Sequence, residues 1–128
     1  MGNKKRMQPQ PASIVHDGKL TEEEALMALR TAAQSATDAL PLALAKCTNN
    51  NERVKVMADR DIVVLAYLNS LHKALIQTEA LFEKTATDLM AEAKKVRQAS
   101  ASLQNASDAI NLMAGLIRLA GSLALAFG

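Results

Sequence analysis

Every seventh residue from Leu68 to Ile117 carries a large apolar side chain: Leu68, Leu75, Phe82, Leu89, Val96, Leu103, Ile110 and Ile117. Four residues after each of the last six comes a small one: Ala86, Ala93, Ser100, Ser107, Ala114 and Gly121. Bulky and small positions alternating at 4-3 spacing form a heptad seam, the mark of a long helix that packs against other helices. Neither glycine nor proline occurs between Pro41 and Gly115, so no residue in that stretch forces the helix to stop.

Upstream, Thr21 followed by Glu24 has the spacing of a capping box, and Glu22 and Glu23 suit the positive end of a helix dipole. A first helix is therefore predicted over residues 21–47, with an apolar seam of Leu26, Leu29, Ala33, Ala36, Leu40, Ala43 and Cys47. Pro41 lies inside it and predicts a kink or restart, because proline deletes a backbone hydrogen bond and crowds the preceding turn. Cys47-Thr48-Asn49-Asn50-Asn51 reads as a turn, with Asn49 and Glu52 repeating the capping spacing. A turn this short folds the first helix back on a second one, predicted over 52–97.

From Ile62 to Ile76 the second helix is apolar on more than one face, more than a single neighbour covers. At 98–108 two readings stand. Lys94, Lys95 and Arg97 suit a helix end, after which Asn105 or Ser107 could cap a third helix within 98–127. The seam, however, passes through Leu103 in register, which predicts a continuous helix roughly 110 Å long at 1.5 Å per residue. The expected fold class is all-α: a helical hairpin with a short first helix folded back on a very long second one, continuous to the C-terminus or bent near 98–108.

Composition agrees. Alanine (24) and leucine (18) dominate the 128 residues, with only three aromatics, as expected of closely packed helices rather than a mixed core. Residues 1–20 read as a flexible tail, with Lys4, Lys5 and Arg6 repelling one another and Gln8-Pro9-Gln10-Pro11 favouring extended geometry; residues 21–128 read as one helical domain. A net charge of +2, with no basic stripe and no interleaved aromatics, gives no support for nucleic acid. Cys47 stands alone, which rules out an internal disulfide and fits a reducing compartment. The N-terminus lacks the apolar run of a secretory signal, and Arg6 stands where a myristoylation motif wants Ser or Thr. A cytoplasmic protein is expected, with a membrane-associated one, or one exported without a signal peptide, as the alternative.

Candidate chemistry is thin. His16 and His72 lack a carboxylate three residues before them, as the Glu-x-x-His di-iron signature requires, and His72 has Leu68 and Ile76 at i±4. Catalytic, cofactor and metal residues are expected to be none, with no small-molecule substrate. Ala109–Phe127 has the length of a bilayer span, but Arg118 near its middle cancels most of the insertion energy of its leucines and isoleucines. Burial against protein is the expectation and membrane insertion the alternative. Because the first helix covers only the first third of a straight second helix, the seam beyond Glu79 needs another cover. Phe82, Leu89, Val96, Leu103, Ile110, Ile117 and the edge residue Arg118 are therefore assigned to partner binding, the partner being another protein or a second copy. The expected function is a non-enzymatic adaptor, chaperone or assembly subunit; the alternative is a membrane-active or tail-anchored protein. In style the Ala-, Ser-, Gln- and Asn-rich heptads resemble small helical components of bacterial secretion machines and phage particles, a likeness that no motif carries.

Overall fold

The computed structural model describes residues 14–128; the basic and proline-bearing part of the expected tail, residues 1–13, lies outside them. The chain is all-α. Among the described residues four helices follow one another as α1 (Glu22–Ala45), α2 (Asn50–Ser70), α3 (Ala80–Ala99) and α4 (Ala106–Ala124), with a single 3-10 turn at Ser100–Ser102.

The start of α1 is the capping box that the sequence spells. Thr21 Oγ1 accepts from the Glu24 amide at 3.1 Å, and Glu24 Oε1 accepts from the Thr21 amide at 3.0 Å. Pro41 does not restart the helix, which runs through it to Ala45. Only one turn follows the proline, so a single missing hydrogen bond is the main loss. The Asn49 cap also forms: its Oδ1 accepts from the Glu52 amide at 2.8 Å and opens α2.

The very long second helix does not form. The chain breaks twice, and neither break uses glycine or proline. At 71–79, Leu75 forms an isolated antiparallel bridge with Phe127. Ala74 and Gly128 exchange both backbone hydrogen bonds, Ile76 and Gln77 donate to the Ala126 carbonyl, and Leu20 donates to the Thr78 carbonyl. Partners remote in sequence thus replace the i→i−4 bonds that a continuous helix would supply. The second break is the bend considered at 98–108. Ser100 Oγ donates to the Arg97 carbonyl at 3.2 Å. Leu103 turns extended, and Asn105 Oδ1 caps α4 by accepting from the Asp108 amide at 2.9 Å.

With these breaks the helices alternate in direction. α1 and α3 start at the same end, where Leu20 meets Thr78. α2 and α4 return to it, bringing Phe127 beside Leu75. α1 packs on all three other helices, whereas α2 and α3 occupy opposite corners. The centre of α1 is an alanine stripe (Ala25, Ala28, Ala32, Ala36 and Ala39), buried throughout. Side chains this small let the neighbouring helices approach closely, which is how the chain builds a core with so few aromatics. Leu29, Val63, Leu89, Val96, Met113, Leu116 and Leu123 fill the main core. Ala43, Val56, Leu103 and Ala109 form a smaller cluster at the far end.

Of the expected tail, residues 14–20 pack across the near end, with Ile14 and Leu20 buried. Two buried carboxylates hold them. Glu24 Oε2 accepts from the Val15 amide at 2.8 Å, and Glu83 Oε2 accepts from the Asp17 and Gly18 amides at 3.1 and 3.0 Å. Gly18, at φ 81°, supplies the left-handed residue that aims those two amides at one oxygen.

Candidate interaction surface

The seam assigned to a partner is filled mostly by the chain itself. Leu89 and Val96 of α3 are buried, as are the small residues Ala86, Ala93 and Ser100 expected opposite them. Leu103 is buried in the smaller cluster, while Phe82, Ile110 and Ile117 are half-buried at the core's edge and Arg118 is exposed. The need for a second chain to cover the seam followed from a straight helix. Once the chain bends, α1 and α4 lie against α3 and supply that cover.

Beyond the bend the core also changes phase. In α4 the buried positions are Ala106, Ala109, Met113, Leu116, Ala120 and Leu123, with Leu119 buried beside them. Each of the first five stands one residue before the expected Ser107, Ile110, Ala114, Ile117 and Gly121. The 3-10 turn and the extended Leu103 rotate α4 by about one residue, or 100° of helix. Upstream of α3 the seam also fails: Leu68 is exposed and α2 buries a different set.

That different set makes α2 unusual. Its inward residues are Val56, Asp59, Val63 and Ser70, spaced 3-4-7. Asp59 is buried, with one oxygen 2.8 Å from Lys55 Nζ, and Ser70 Oγ returns its hydrogen bond to the Ala66 carbonyl. The outward face carries the larger apolar groups. Val54 (52% exposed), Met57 (38%), Ile62 (48%), Leu65 (52%), Leu68 (43%) and the capping Leu71 (46%) run the length of the helix. At 100° per residue Val54, Met57, Leu65 and Leu68 fall within one stripe, with Leu71 and Ile62 at its two edges. Asp61 sits in mid-stripe, its Oδ1 2.8 Å from Arg60 Nε.

Beside the stripe runs a groove between α1 and α2. Arg30, Ala33, Gln34, Thr37 and Asp38 form one wall, and Val64, Tyr67 and Leu68 the other, enclosing about 360 Å³. Towards the near end the groove continues past Tyr67 between Leu26 and Leu71. A volume of that size would suit a small ligand, and its lining mixes apolar side chains with Arg30, Gln34, Thr37 and Asp38.

Elsewhere the chemistry is sparse. His16 and His72 are exposed and far apart in the chain, and the Cys47 thiol donates to the Ala43 carbonyl at 3.4 Å. Among the described residues no three His, Cys, Asp or Glu side chains are grouped to hold a metal ion. Glu52 is held below the ordinary carboxylate range, first by the Thr48 amide donating to its Oε1 at 2.7 Å. It belongs to the α1–α2 turn. The outer face of α2 was visible in the sequence as the excess of apolar faces between Ile62 and Ile76, which includes Leu65 and Leu68, but Val54 and Met57 were not singled out. No protein-family model, no curated protein and no solved structure matches the chain.

Proposed function

We propose that this is a non-enzymatic helical interaction protein, an adaptor, chaperone-type partner or assembly subunit, that works by helix–helix contact. The observation that carries the reading is the outward stripe of α2. A helix that turns Asp59 and Ser70 inward and Met57, Leu65 and Leu68 outward places its hydrophobic surface where its own chain cannot use it. Contiguous exposed apolar surface of this kind is characteristic of binding sites in soluble proteins. The contact is thus assigned to α2 and the α1–α2 groove rather than to the seam from Phe82 to Ile117, most of which the bundle consumes.

A membrane-inserting C-terminal helix finds less support. None of the described helices is long and apolar enough to cross a membrane. The apolar side chains of Ala109–Phe127 are largely spent on the core, including Met113, Leu116, Leu123 and Phe127. The decisive experiment compares wild type with the double variant Leu65→Glu, Leu68→Glu in solution mass and in binding to vesicles. Both positions are already half wet, so the variant is expected to keep its helical circular dichroism and lose every specific protein contact. A wild-type chain that partitions onto vesicles and contacts no protein, itself included, would contradict the proposal.

A further inference from the structure

The helix-contact reading leaves the occupant of the α2 face open, and resting on that reading we infer that it is a second copy of this chain, docked by a two-fold axis with the two α2 helices antiparallel. Three observations converge on this arrangement. The first is that, among the described residues, α2 alone offers a continuous face. The outward positions of α1 include Glu22, Glu23, Gln34 and Asp38, those of α3 include Lys84, Lys94, Lys95 and Arg97, and those of α4 include Asn111 and Arg118. The other large exposed apolar side chains, Val15, Leu42, Ile76, Leu81 and Leu125, do not share one helix.

The second is the register of the stripe. In an antiparallel pair a heptad's a positions meet d positions of the other helix. Setting Val54 against Leu71 of the second copy brings Met57 against Leu68 and Asp61 against Val64 in the same alignment. The stripe is therefore complementary to itself when reversed, the condition for an isologous two-fold contact. A parallel pair would instead set Asp61 directly against Asp61, like charge on like charge. In the reversed pair each Asp61 faces an aliphatic neighbour and keeps its own Arg60. A lipid surface is the poorer occupant because the whole stripe, Asp61 included, would enter a continuous apolar layer, whereas in the reversed pair Asp61 meets a single side chain, Val64.

The third is size. From Val54 to Leu71 the stripe is about 27 Å long at 1.5 Å per residue. With α1 and the groove beside it the face is about 20 Å wide, given helix axes roughly 8–10 Å apart. Such a face covers on the order of 500 Å² in projection, comparable with the roughly 800 Å² of accessible surface that each partner buries in a standard interface.

The test is the mass of the full chain by sedimentation equilibrium as a function of concentration. Wild type should pass from monomer to dimer. Leu65→Glu with Leu68→Glu should raise the dissociation constant by roughly 100-fold or more while thermal unfolding of the monomer stays where it was. Asp61→Leu should lower the constant by about 10-fold, since it replaces the one charge in the stripe with an apolar group. Register is read by oxidising equal mixtures of two variants in a Cys47→Ser background, one carrying Met57→Cys and the other Leu68→Cys. The mixed disulfide should dominate over both homodisulfides. A chain that stays monomeric at every concentration overturns the inference, as does a preference for the two homodisulfides, which would mean a parallel pair. If the monomer instead binds a purified protein through Leu65 and Leu68, the second copy is excluded while the helix-contact reading survives.

Discussion

The rotation of α4 can be tested with two neighbouring residues. A seam continued from α3 puts Ile117 in the core and Leu116 beside it; the structure buries Leu116 completely and leaves Ile117 half-buried. Leu116→Ala removes three buried carbons, worth roughly 2.4 kcal/mol at about 0.8 kcal/mol each. The walls around it are helices fixed by Leu89, Val96 and Met113, so incomplete collapse of the cavity raises the cost to about 3–4 kcal/mol. Ile117→Ala removes as many carbons, but some already touch water, and alanine is the better helix former by a few tenths of a kcal/mol. Its cost should be about 1 kcal/mol. Urea unfolding followed by circular dichroism gives both values from one assay, and in thermal unfolding Leu116→Ala should lower the midpoint by roughly 10 °C. Equal losses, or a larger loss for Ile117→Ala, would show that α4 keeps the seam's phase and that the rotation drawn from the 3-10 turn is wrong.

Two further outcomes follow from buried or turn-bound carboxylates. Glu83→Ala should cost about 1–3 kcal/mol by leaving the Asp17 and Gly18 amides without their acceptor, and hydrogen exchange at those two amides should quicken while the α1 core stays protected. Unchanged exchange there would mean that residues 14–20 are held without Glu83, by the burial of Ile14 and Leu20 and by the Glu24 and Thr78 contacts. The lowered pKa of Glu52 makes the α1–α2 turn acid-sensitive: its contribution is present above the ordinary value of 4.5 and is lost as pH falls through the lower folded value. Glu52→Gln should therefore flatten part of the fall in thermal stability below pH 4.5, and an identical pH profile in the two proteins would remove Glu52 from the account.

Local signals in the sequence were enough to determine the parts of the fold that local forces build. The all-α class, the Thr21–Glu24 box, the Asn49 cap and the fold-back of α1 each depend on residues a few positions apart, and each is present. The α3 portion of the seam was legible for the same reason, since Leu89 and Val96 share one unbroken helix with Ala86 and Ala93. What failed was everything carried across a break. Residues 71–79 contain no glycine or proline, and leave the helical path because Ala126, Gly128 and Leu20 offer them hydrogen bonds from more than forty positions away. A periodicity count cannot see such partners, so it missed the bend at 71–79 and extended the phase of α3 into α2 and α4. The bend at 98–108, with its Asn105 cap, stood as one of two readings because its signals are local. The interaction surface changed place with the fold. Only tertiary packing decided that α2 turns Val56, Asp59 and Val63 inward, because α1 and α4 meet it on that side, and so only packing decided that Met57, Leu65 and Leu68 face outward.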